Sequence, residues 1–259
     1  MLLTVHGNDV YYDAVDFNGS DAPVVVFIHG ALNDHHVWAV PAQTFAAQGW
    51  RVLAVDLPGH GRSQGPALTG IAALAQWLLA LLDVAGVEST MLVGHSMGAL
   101  IALDAAALAP RRIQRLALLG ATAPMPVSSR LLATARDDQD AAIELVSVWS
   151  HRRDGADAAL VDATRQLQRR VAAASTEQLL HIDLAACNAY QHGMAAASAV
   201  RCPTLLLLGQ HDLMTPPRSA IQLTAALEHC RVIEVDSGHA LMAEQPAAVS
   251  EALLNFGTA

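Results

Sequence analysis

The chain has 259 residues, of which 53% are hydrophobic and 15% are charged, a composition that supports a large buried core and excludes an intrinsically disordered chain. Its formal net charge is −9, and all 15 basic residues are arginines. A net acidic surface repels phosphate backbones, so we expect no nucleic-acid partner. The absence of lysine excludes Schiff-base chemistry and the phosphate-binding lysine of a P-loop.

Targeting signals and membrane segments are not visible in the sequence. No basic segment followed by an apolar one opens the chain, and no apolar run approaches the roughly 20 residues that a transmembrane helix needs. The cysteines are odd in number and irregularly spaced, which is typical of free thiols in a reducing compartment. We therefore expect a cytoplasmic protein, a monomer or a homodimer, that acts on a small molecule and contacts no membrane.

The first 121 residues alternate between strand-like and helix-like segments. A hairpin is predicted from two β-type segments, residues 2–6 and 10–17, joined by turn residues at 7–9. Short β-branched runs predict buried strands of a parallel sheet, and apolar residues at helical spacing predict helices. The strands are expected at 24–28, 51–57, 90–94 and 113–120, and the helices at 37–48, 69–85 and 97–109.

The alternation stops after residue 121. Residues 122–199 contain no convincing strand, and their apolar spacing predicts helices at about 137–150, 156–173 and 176–197. The last helix is expected to start from a capping box at 175–178 and to break near Gly193. Alternation then returns with strands at 204–208 and 231–235 and helices at 217–228 and 246–256.

These elements predict an α/β fold. Its sheet would be mostly parallel and doubly wound, with about eight strands including the N-terminal hairpin, and with helices on both faces. Residues 1–121 and 200–259 would form the core domain, and residues 122–199 would form an all-helical lid inserted into it. Because the carboxyl ends of the strands form the active crevice in such folds, we expect the lid to cover that crevice.

A Gly-x-Ser-x-Gly pattern occupies residues 94–98, between a strand-like run and a helix-like run. This is the sequence context of a nucleophile elbow, a sharp strand-to-helix turn with one side chain at its apex. Gly94 and Gly98 lack the Cβ atoms that would crowd the turn. Ser96 would occupy the apex, beside a helix N-terminus that favours negative charge. The alternative interpretation is a Gly/Ser-rich surface turn.

A serine hydroxyl is a poor nucleophile at neutral pH, so it needs a nearby base and a carboxylate that orients the base. Both should lie in loops at the carboxyl ends of strands. The loop after the strand at 204–208 contains Asp212, and the loop after the strand at 231–235 contains His239. Each residue alone could serve a turn or a helix start. Together they complete the chain order Ser, Asp, His, which is that of the α/β-hydrolase fold.

With these motifs the chain resembles the α/β-hydrolase superfamily, in its lid-bearing serine esterase and lipase-like branch. The matching segments are 29–30 (HG), 56–63 (DLPGHGRS), 94–98 (GHSMG), 209–212 (GQHD) and 238–239 (GH). The resemblance implies that Ser96 is the nucleophile, Asp212 the acid and His239 the base. It also implies an oxyanion hole formed by the backbone N–H groups of Ala31 and Met97. Such a site needs neither a cofactor nor a metal.

The substrate pocket is expected between the elbow and the lid. Its candidate residues are Leu32, His95, Trp149, Tyr190 and Leu213. Several of them could equally serve packing alone, because an aromatic or apolar residue at helical spacing is more often part of a core.

Two further groups of residues have simpler interpretations. His29, His35 and His36 lie near the expected oxyanion loop, but their spacing matches no metal-binding motif, so we expect no metal there. The arginine-rich segment at 165–170 is interpreted as a solvated helix face.

The sequence therefore predicts a serine hydrolase, specifically a carboxylesterase, that cleaves an ester or related acyl compound of a small hydrophobic substrate through an acyl-enzyme on Ser96. A carbon–carbon bond hydrolase, a lactonase or a perhydrolase would use the same triad. Dehalogenases and epoxide hydrolases resemble chains with aspartate at the elbow, which Ser96 disfavours. A receptor of the same fold that binds a small ligand with little turnover is the alternative of another class.

Overall fold

A computed structural model describes residues 1–15 and 22–259. Within these residues one sheet is built from eight strands in the order β1-β2-β4-β3-β5-β6-β7-β8. The β1–β2 and β2–β4 pairs are antiparallel, and all other neighbouring pairs are parallel. The strands are β1 (Leu2–Val5), β2 (Asn8–Val15), β3 (Val24–Ile28), β4 (Arg51–Val55), β5 (Thr90–His95), β6 (Ile113–Leu119), β7 (Thr204–Gly209) and β8 (Cys230–Val235).

Helices surround this sheet. Those that alternate with strands are α1 (Ala39–Ala47), α2 (Ile71–Val84), α3 (Met97–Leu108), α9 (Ile221–Ala226), α10 (Leu241–Glu244) and α11 (Pro246–Thr258). Those between β6 and β7 are α4 (Ser129–Asp137), α5 (Gln139–Trp149), α6 (Ala158–Ala173), α7 (Leu179–Ala189) and α8 (Gly193–Ala199). Among the described residues, no helix combines the length and the apolar character that crossing a bilayer requires. Residues 120–203, which contain α4 to α8, are called the helical insertion below.

The two faces of the sheet carry separate parts of the core. Successive side chains of a strand point to opposite faces, so β3 contributes to both. Val26 and Ile28 pack with α2 and α3, whereas Val25 and Phe27 pack with α1 and α11. The predicted fold class, a mostly parallel sheet of eight strands with helices on both faces, is confirmed.

The hairpin turn lies one residue earlier than expected. His6 and Gly7 form it, with φ angles of 49° and 83°, and Asn8 already pairs with Val5 in the ladder. A two-residue hairpin loop of type I′ requires positive φ at both of its residues, and His6 and Gly7 meet that requirement. Asn8 and Asp9 therefore belong to β2 and not to the turn. The predicted end of this strand and the loop after it, residues 16–21, lie outside the described residues.

The helical insertion differs from the prediction in two details and agrees with it in a third. Helix α4 was not expected, because only Leu131 and Ala135 mark its buried face over nine residues. The predicted break near Gly193 is confirmed: the segment 176–197 forms two helices, α7 and α8, and α8 begins at Gly193. The capping box predicted at 175–178 does not form, because α7 begins only at Leu179 and Ser175 Oγ accepts from the backbone N of Glu177 at 3.1 Å. Glu177 Oε2 instead accepts a hydrogen bond of 2.8 Å from the backbone N of Ala67, in the core domain.

The helical insertion has a hydrophobic cluster of its own, to which α4, α5, α6 and α7 contribute. Helix α8 does not join it. Ala196 and Ala197 of α8 instead pack with α3 in the core of the sheet. The segment between β6 and β7 is thus partly a separate layer and partly an extension of the main core.

Candidate active site

The sharp turn between β5 and α3 places Ser96 in a strained backbone conformation, with φ 54° and ψ −117°. A Cβ atom on Gly94 would collide with the carbonyl of Gly98, and one on Gly98 would collide with the carbonyl of Ile28. The two glycines therefore let the strand, the helix and β3 approach one another closely. A non-glycine residue with positive φ costs about 1–3 kcal/mol, and such strain is typical of functional sites.

Asp212 and His239 meet at the carboxyl ends of β7 and β8. His239 Nδ1 lies 2.7 Å from Asp212 Oδ2, and both side chains are buried. Thr215 Oγ1 is 3.2 Å from the same ring nitrogen. These contacts fix the orientation of the imidazole, which is the role that the carboxylate of a triad performs.

The Asp212 carboxylate is fully provided with hydrogen-bond donors. Its Oδ1 accepts from the backbone N–H groups of Met214 and Thr215, each at 2.8 Å, and its Oδ2 accepts from Thr215 Oγ1 at 2.8 Å. Burial opposes ionisation, but the adjacent His239 and the hydrogen bonds from His239 and Thr215 hold the pKa of Asp212 below its usual range. The carboxylate is therefore ionised at neutral pH.

The other reactive atoms of the site remain free of protein partners. Across residues 1–15 and 22–259, neither Ser96 Oγ nor His239 Nε2 makes a hydrogen bond. Both residues line the same cavity. A ligand-free site often has long catalytic hydrogen bonds that tighten only when substrate binds.

His95, next to the apex, supports the site from behind. Its Nε2 donates a hydrogen bond of 2.9 Å to the backbone carbonyl of His239. Burial, together with the nearby His239, lowers the pKa of His95 to about 3, so its ring is neutral. Its Nδ1 is buried without a hydrogen-bond partner among the described residues.

A cavity of about 630 Å³ lies between the elbow and the helical insertion. Its walls come from the loop and first helix after β3, from α4 to α7, and from the loops after β7 and β8. Three of the predicted pocket residues, His95, Trp149 and Leu213, are on these walls. Most of the lining side chains are apolar, which favours a ligand with a substantial hydrophobic part.

The other two predicted pocket residues, Leu32 and Tyr190, do not line the cavity. Leu32 is fully buried in the hydrophobic cluster of the helical insertion, where its side chain anchors the loop after β3. Tyr190 donates a hydrogen bond of 2.6 Å from its hydroxyl to Asp104 Oδ1 on α3. Burial and the adjacent carboxylate raise the pKa of Tyr190, so this hydroxyl stays protonated. Both positions serve packing between the insertion and the core.

Two backbone N–H groups near Ser96 have no partner within the described part of the chain. They belong to Ala31, on the cavity wall, and to Met97, the first residue of α3. The first N–H groups of a helix lack intrahelical partners, so the Met97 amide is free for a ligand.

A buried ion pair fastens the helical insertion to the loop that contains Ala31. Asp183 Oδ2, on α7, lies 2.8 Å from the backbone N of Leu32 and 2.9 Å from His60 Nε2. His60 Nδ1 lies 3.0 Å from the carbonyl of Pro58. The Pro58 carbonyl can only accept, and so can Asp183 as a carboxylate, so a ring that donates to both carries two protons and a positive charge.

The surroundings of His60 agree with that charge. Burial disfavours it, but Asp183 beside the ring raises the pKa of His60 above its usual value. The neighbouring His29, with a ring centroid 5.3 Å away, shows the reverse effect. Burial and the nearby His60 lower the pKa of His29 to about 4. The sequence contained no signal for this pair, because no pattern links residues 123 positions apart.

The histidines considered for a metal have separate hydrogen-bond partners. His29 Nε2 accepts from the backbone N of Leu57, and His35 Nδ1 lies 2.8 Å from Asp56 Oδ1. Asp34, His35 and His36 do form a cluster whose ligand-type atoms all lie within 4.8 Å. His36 Nδ1 is 2.9 Å from Asp34 Oδ1, so a hydrogen bond also joins two members of this cluster to each other.

The arginines of α6 form ion pairs across to α5. Arg169 Nε is 2.7 Å from Asp140 Oδ1, and Arg165 Nε is 2.8 Å from Glu144 Oε2. Arg170 reaches only to 3.8 Å from Asp34 Oδ2. The face that the sequence predicts to be solvated thus also fastens the two insertion helices to each other.

The family model described as "alpha/beta hydrolase fold" matches residues 23–246, so the chain belongs to the α/β-hydrolase fold family. A protein of Pseudomonas savastanoi pv. phaseolicola named "Putative carbamate hydrolase RutD" is 27% identical over 92% of this chain and 94% of its own length.

Two solved structures show the same fold over the full chain. The enol-lactonase from Burkholderia xenovorans LB400 superimposes with a TM-score of 0.89 at 23% identity, covering 100% of both chains. An esterase from Exiguobacterium antarcticum superimposes with a TM-score of 0.87 at 17% identity, covering 100% of this chain and 99% of its own.

Proposed function

We propose that the protein is a serine hydrolase that cleaves a carboxylic ester, or a related acyl compound, of a small and largely hydrophobic substrate. The observation that carries the proposal is the arrangement of His239. Asp212 holds its Nδ1 at 2.7 Å, and its Nε2 has no hydrogen-bond partner among the described residues and lies beside the cavity that Ser96 also lines. A histidine in that state can take the proton of a serine hydroxyl.

In the first half of the proposed reaction, His239 Nε2 removes the proton of Ser96 as Oγ attacks the ester carbonyl. The ionised Asp212 stabilises the imidazolium that results. The negative charge on the tetrahedral oxygen is accepted by the N–H groups of Ala31 and Met97. The carbon–oxygen bond of the leaving alkoxide then breaks, the alcohol departs with the proton from His239, and the acyl group stays on Ser96.

In the second half, His239 removes a proton from water as the hydroxide adds to the acyl carbon. The tetrahedral intermediate collapses, the acid departs, and Ser96 recovers its proton from His239. No cofactor or metal takes part in this cycle. The helical insertion would act as a lid that keeps bulk water away from the acyl-enzyme, and the site would operate in the cytoplasm.

The proposal is tested by turnover of short p-nitrophenyl esters. The unsubstituted protein is expected to hydrolyse p-nitrophenyl acetate or butyrate in multiple turnovers, and Ser96→Ala is expected to lose more than about 10³-fold in kcat/KM. A variant that kept its activity would remove Ser96 from the role of nucleophile.

Substrate class is tested by a panel of an ester, a lactone and a carbamate. Relatives carry the names carbamate hydrolase, enol-lactonase and esterase, so each of these bonds is a reasonable substrate. A receptor of the same fold would bind a ligand saturably without turning over any of the three. Steady turnover of one of them would reject the receptor alternative.

A further inference from the structure

The α6 wall of the cavity carries two polar side chains among apolar ones. Thr164 and Gln168 are one helical turn apart, and both line the cavity together with Leu160 and Leu167. Residues at this spacing are neighbours on a helix surface. Gln168 is only 2% exposed, so its carboxamide lies almost wholly within the protein and the cavity.

Each of the two side chains is supported from behind by a buried residue of α5 or its C-terminal end. Ser147 Oγ lies 3.1 Å from Gln168 Oε1. His151 Nε2 lies 3.3 Å from Thr164 Oγ1, and His151 Nδ1 donates to the carbonyl of Ser147 at 2.8 Å. A polar group that is held in place by a second layer of hydrogen bonds is already oriented for a ligand.

One end of the Gln168 carboxamide remains unused. Within the described part of the chain, its side-chain nitrogen makes no hydrogen bond. Ser147 Oγ also lies 2.7 Å from the carbonyl of Ile143, and its single proton can be donated to only one of the two oxygens. If Ser147 donates to Ile143, the Gln168 carboxamide is flipped so that its nitrogen donates to Ser147 Oγ. In that orientation the Gln168 oxygen, and not its nitrogen, is the free end. In either orientation one amide end has no partner among the described residues, and Gln168 lines the cavity, so this end is available to a ligand.

Thr164 also has hydrogen-bonding capacity to spare. The Nδ1 of His151 carries a proton because it faces a carbonyl, and Nε2, when it carries none, accepts from the Thr164 hydroxyl. The lone pairs of Thr164 Oγ1 are left to accept a further hydrogen bond. Neither Thr164 nor Gln168 carries a charge that would compensate a buried ion.

We propose that Gln168 and Thr164 form a subsite for an uncharged oxygen substituent, in the first place a hydroxyl group, on the hydrophobic part of the substrate. A hydroxyl can donate to Thr164 Oγ1 and can pair with either end of the Gln168 carboxamide. This inference rests on the proposed function and names the class of acyl compound that the site selects: a hydroxylated aliphatic ester over its plain counterpart.

The test measures binding in the Ser96→Ala protein, so that the ligand is not consumed. Methyl hexanoate, methyl 3-hydroxyhexanoate and methyl 6-hydroxyhexanoate are titrated with detection by ligand NMR. At least one hydroxy ester is expected to have a lower Kd than methyl hexanoate. Gln168→Met and the isosteric Thr164→Val are each expected to reduce that preference about threefold to tenfold, the effect of one hydrogen bond.

The matched control is Gln166→Met, because Gln166 is exposed on the same helix and is not on the cavity wall. It should leave the preference unchanged. Loss of preference in Gln168→Met without loss in Gln166→Met supports the subsite. A preference that persists in both Gln168→Met and Thr164→Val overturns it, as does failure of both hydroxy esters to bind better than methyl hexanoate.

Two further outcomes keep this proposal separate from the proposed function. If Gln168→Met unfolds at a much lower temperature than the parent, the Thr164→Val protein provides the test. Loss of its preference for a hydroxy ester over methyl hexanoate then supports the subsite, and an unchanged preference overturns it. If the unsubstituted protein turns over no ester, lactone or carbamate but the binding preference holds, the hydrolase assignment fails and the subsite stands. If esters are hydrolysed without any such preference, the subsite fails and the hydrolase stands.

Discussion

Two of the buried histidine–aspartate pairs, His239–Asp212 and His60–Asp183, occupy different regions of this molecule. His239 and Asp212 join two strand-end loops of the core at 2.7 Å, and His60 and Asp183 join the core to the helical insertion at 2.9 Å. All four side chains are almost fully buried. The pairs differ at the second ring nitrogen. That of His239 has no hydrogen-bond partner within residues 1–15 and 22–259 and adjoins the cavity, whereas that of His60 donates to a backbone carbonyl.

This difference separates the proton carrier of the proposed reaction, His239, from a fixed charge on His60. A histidine can transfer a proton only if one of its nitrogens is free to lose and regain it. His60 uses both N–H groups on acceptors within the protein, so its positive charge is confined to the joint between two layers. Asp183 connects this charge to the loop after β3, because it also accepts from the N–H of Leu32, the residue after Ala31.

The largest expected effect comes from breaking the core pair. Asp212→Asn keeps the shape of the side chain but would favour the wrong tautomer of His239. We expect kcat to fall by about 10⁴-fold, as in other triads with this change. Steady-state kinetics on a p-nitrophenyl ester measures it, and thermal unfolding serves as the control for folding. A decrease of less than tenfold would mean that Asp212 does not orient the base.

Breaking the second pair is expected to act on kcat through the backbone. Asp183→Asn leaves an acceptor for the Leu32 N–H but removes the negative charge that His60 requires. We expect the substituted side chain and the ring of His60 to move apart, so that the loop around Leu32 shifts and the neighbouring Ala31 amide loses its fixed position. A displaced oxyanion donor can cost up to about 10²–10³-fold, and we expect about tenfold to 10²-fold in kcat with little change in KM.

The matched control for Asp183→Asn is Glu177→Gln. Glu177 is a second carboxylate of the insertion that accepts from a core backbone N–H, that of Ala67. It should leave kcat unchanged. Equal effects of the two substitutions on kcat would show that Asp183 serves only general attachment of the insertion.

The pH dependence of stability should distinguish the two pairs. The pKa of His60 is raised, so the stabilisation from its charge is complete below about pH 6.5 and is lost as pH rises through the folded-state pKa. The pKa of Asp212 is lowered, so its contribution is complete above about pH 4 and is lost as pH falls.

Urea unfolding of the parent protein and of Asp183→Asn measures the His60 effect. The difference in free energy of unfolding between them should be larger at pH 6 than at pH 9. The titratable groups that face His60 are Asp183, His29 and Asp56. Asp56 raises the pKa of His60 through charge alone, so Asp56→Asn measures the part of the His60 effect that needs no hydrogen bond. A difference that grows with pH would contradict a charged His60.

The smallest effect is expected from the exposed ion pairs of the insertion. Arg169→Ala removes contacts to Asp140 and Glu144, whose side chains are about as exposed as its own. Solvent screens such pairs, so the free energy of unfolding should fall by about 1 kcal/mol or less. Ester turnover should stay within experimental error. A larger loss would show that α5 and α6 depend on charge as the buried joint does.

The residues of the core pair follow from the sequence because their chain positions obey a simple rule. Parallel strands end at the same edge of the sheet, so loops after β5, β7 and β8 must converge. The joint between core and insertion follows no such rule. Asp183 lies on a helix whose packing depends on tertiary contacts, and Leu32 looks like a pocket residue until its side chain is seen among insertion residues.

The anchoring of Leu32 has a consequence for exchanging parts between relatives. Its side chain lies in the cluster of the insertion, and its N–H binds Asp183 of the same insertion. A chimera that receives a foreign segment between β6 and β7 would keep the native loop after β3 but lose the insertion residues that Leu32 contacts. Stable chimeras should therefore take the loop after β3 and the segment between β6 and β7 from the same parent.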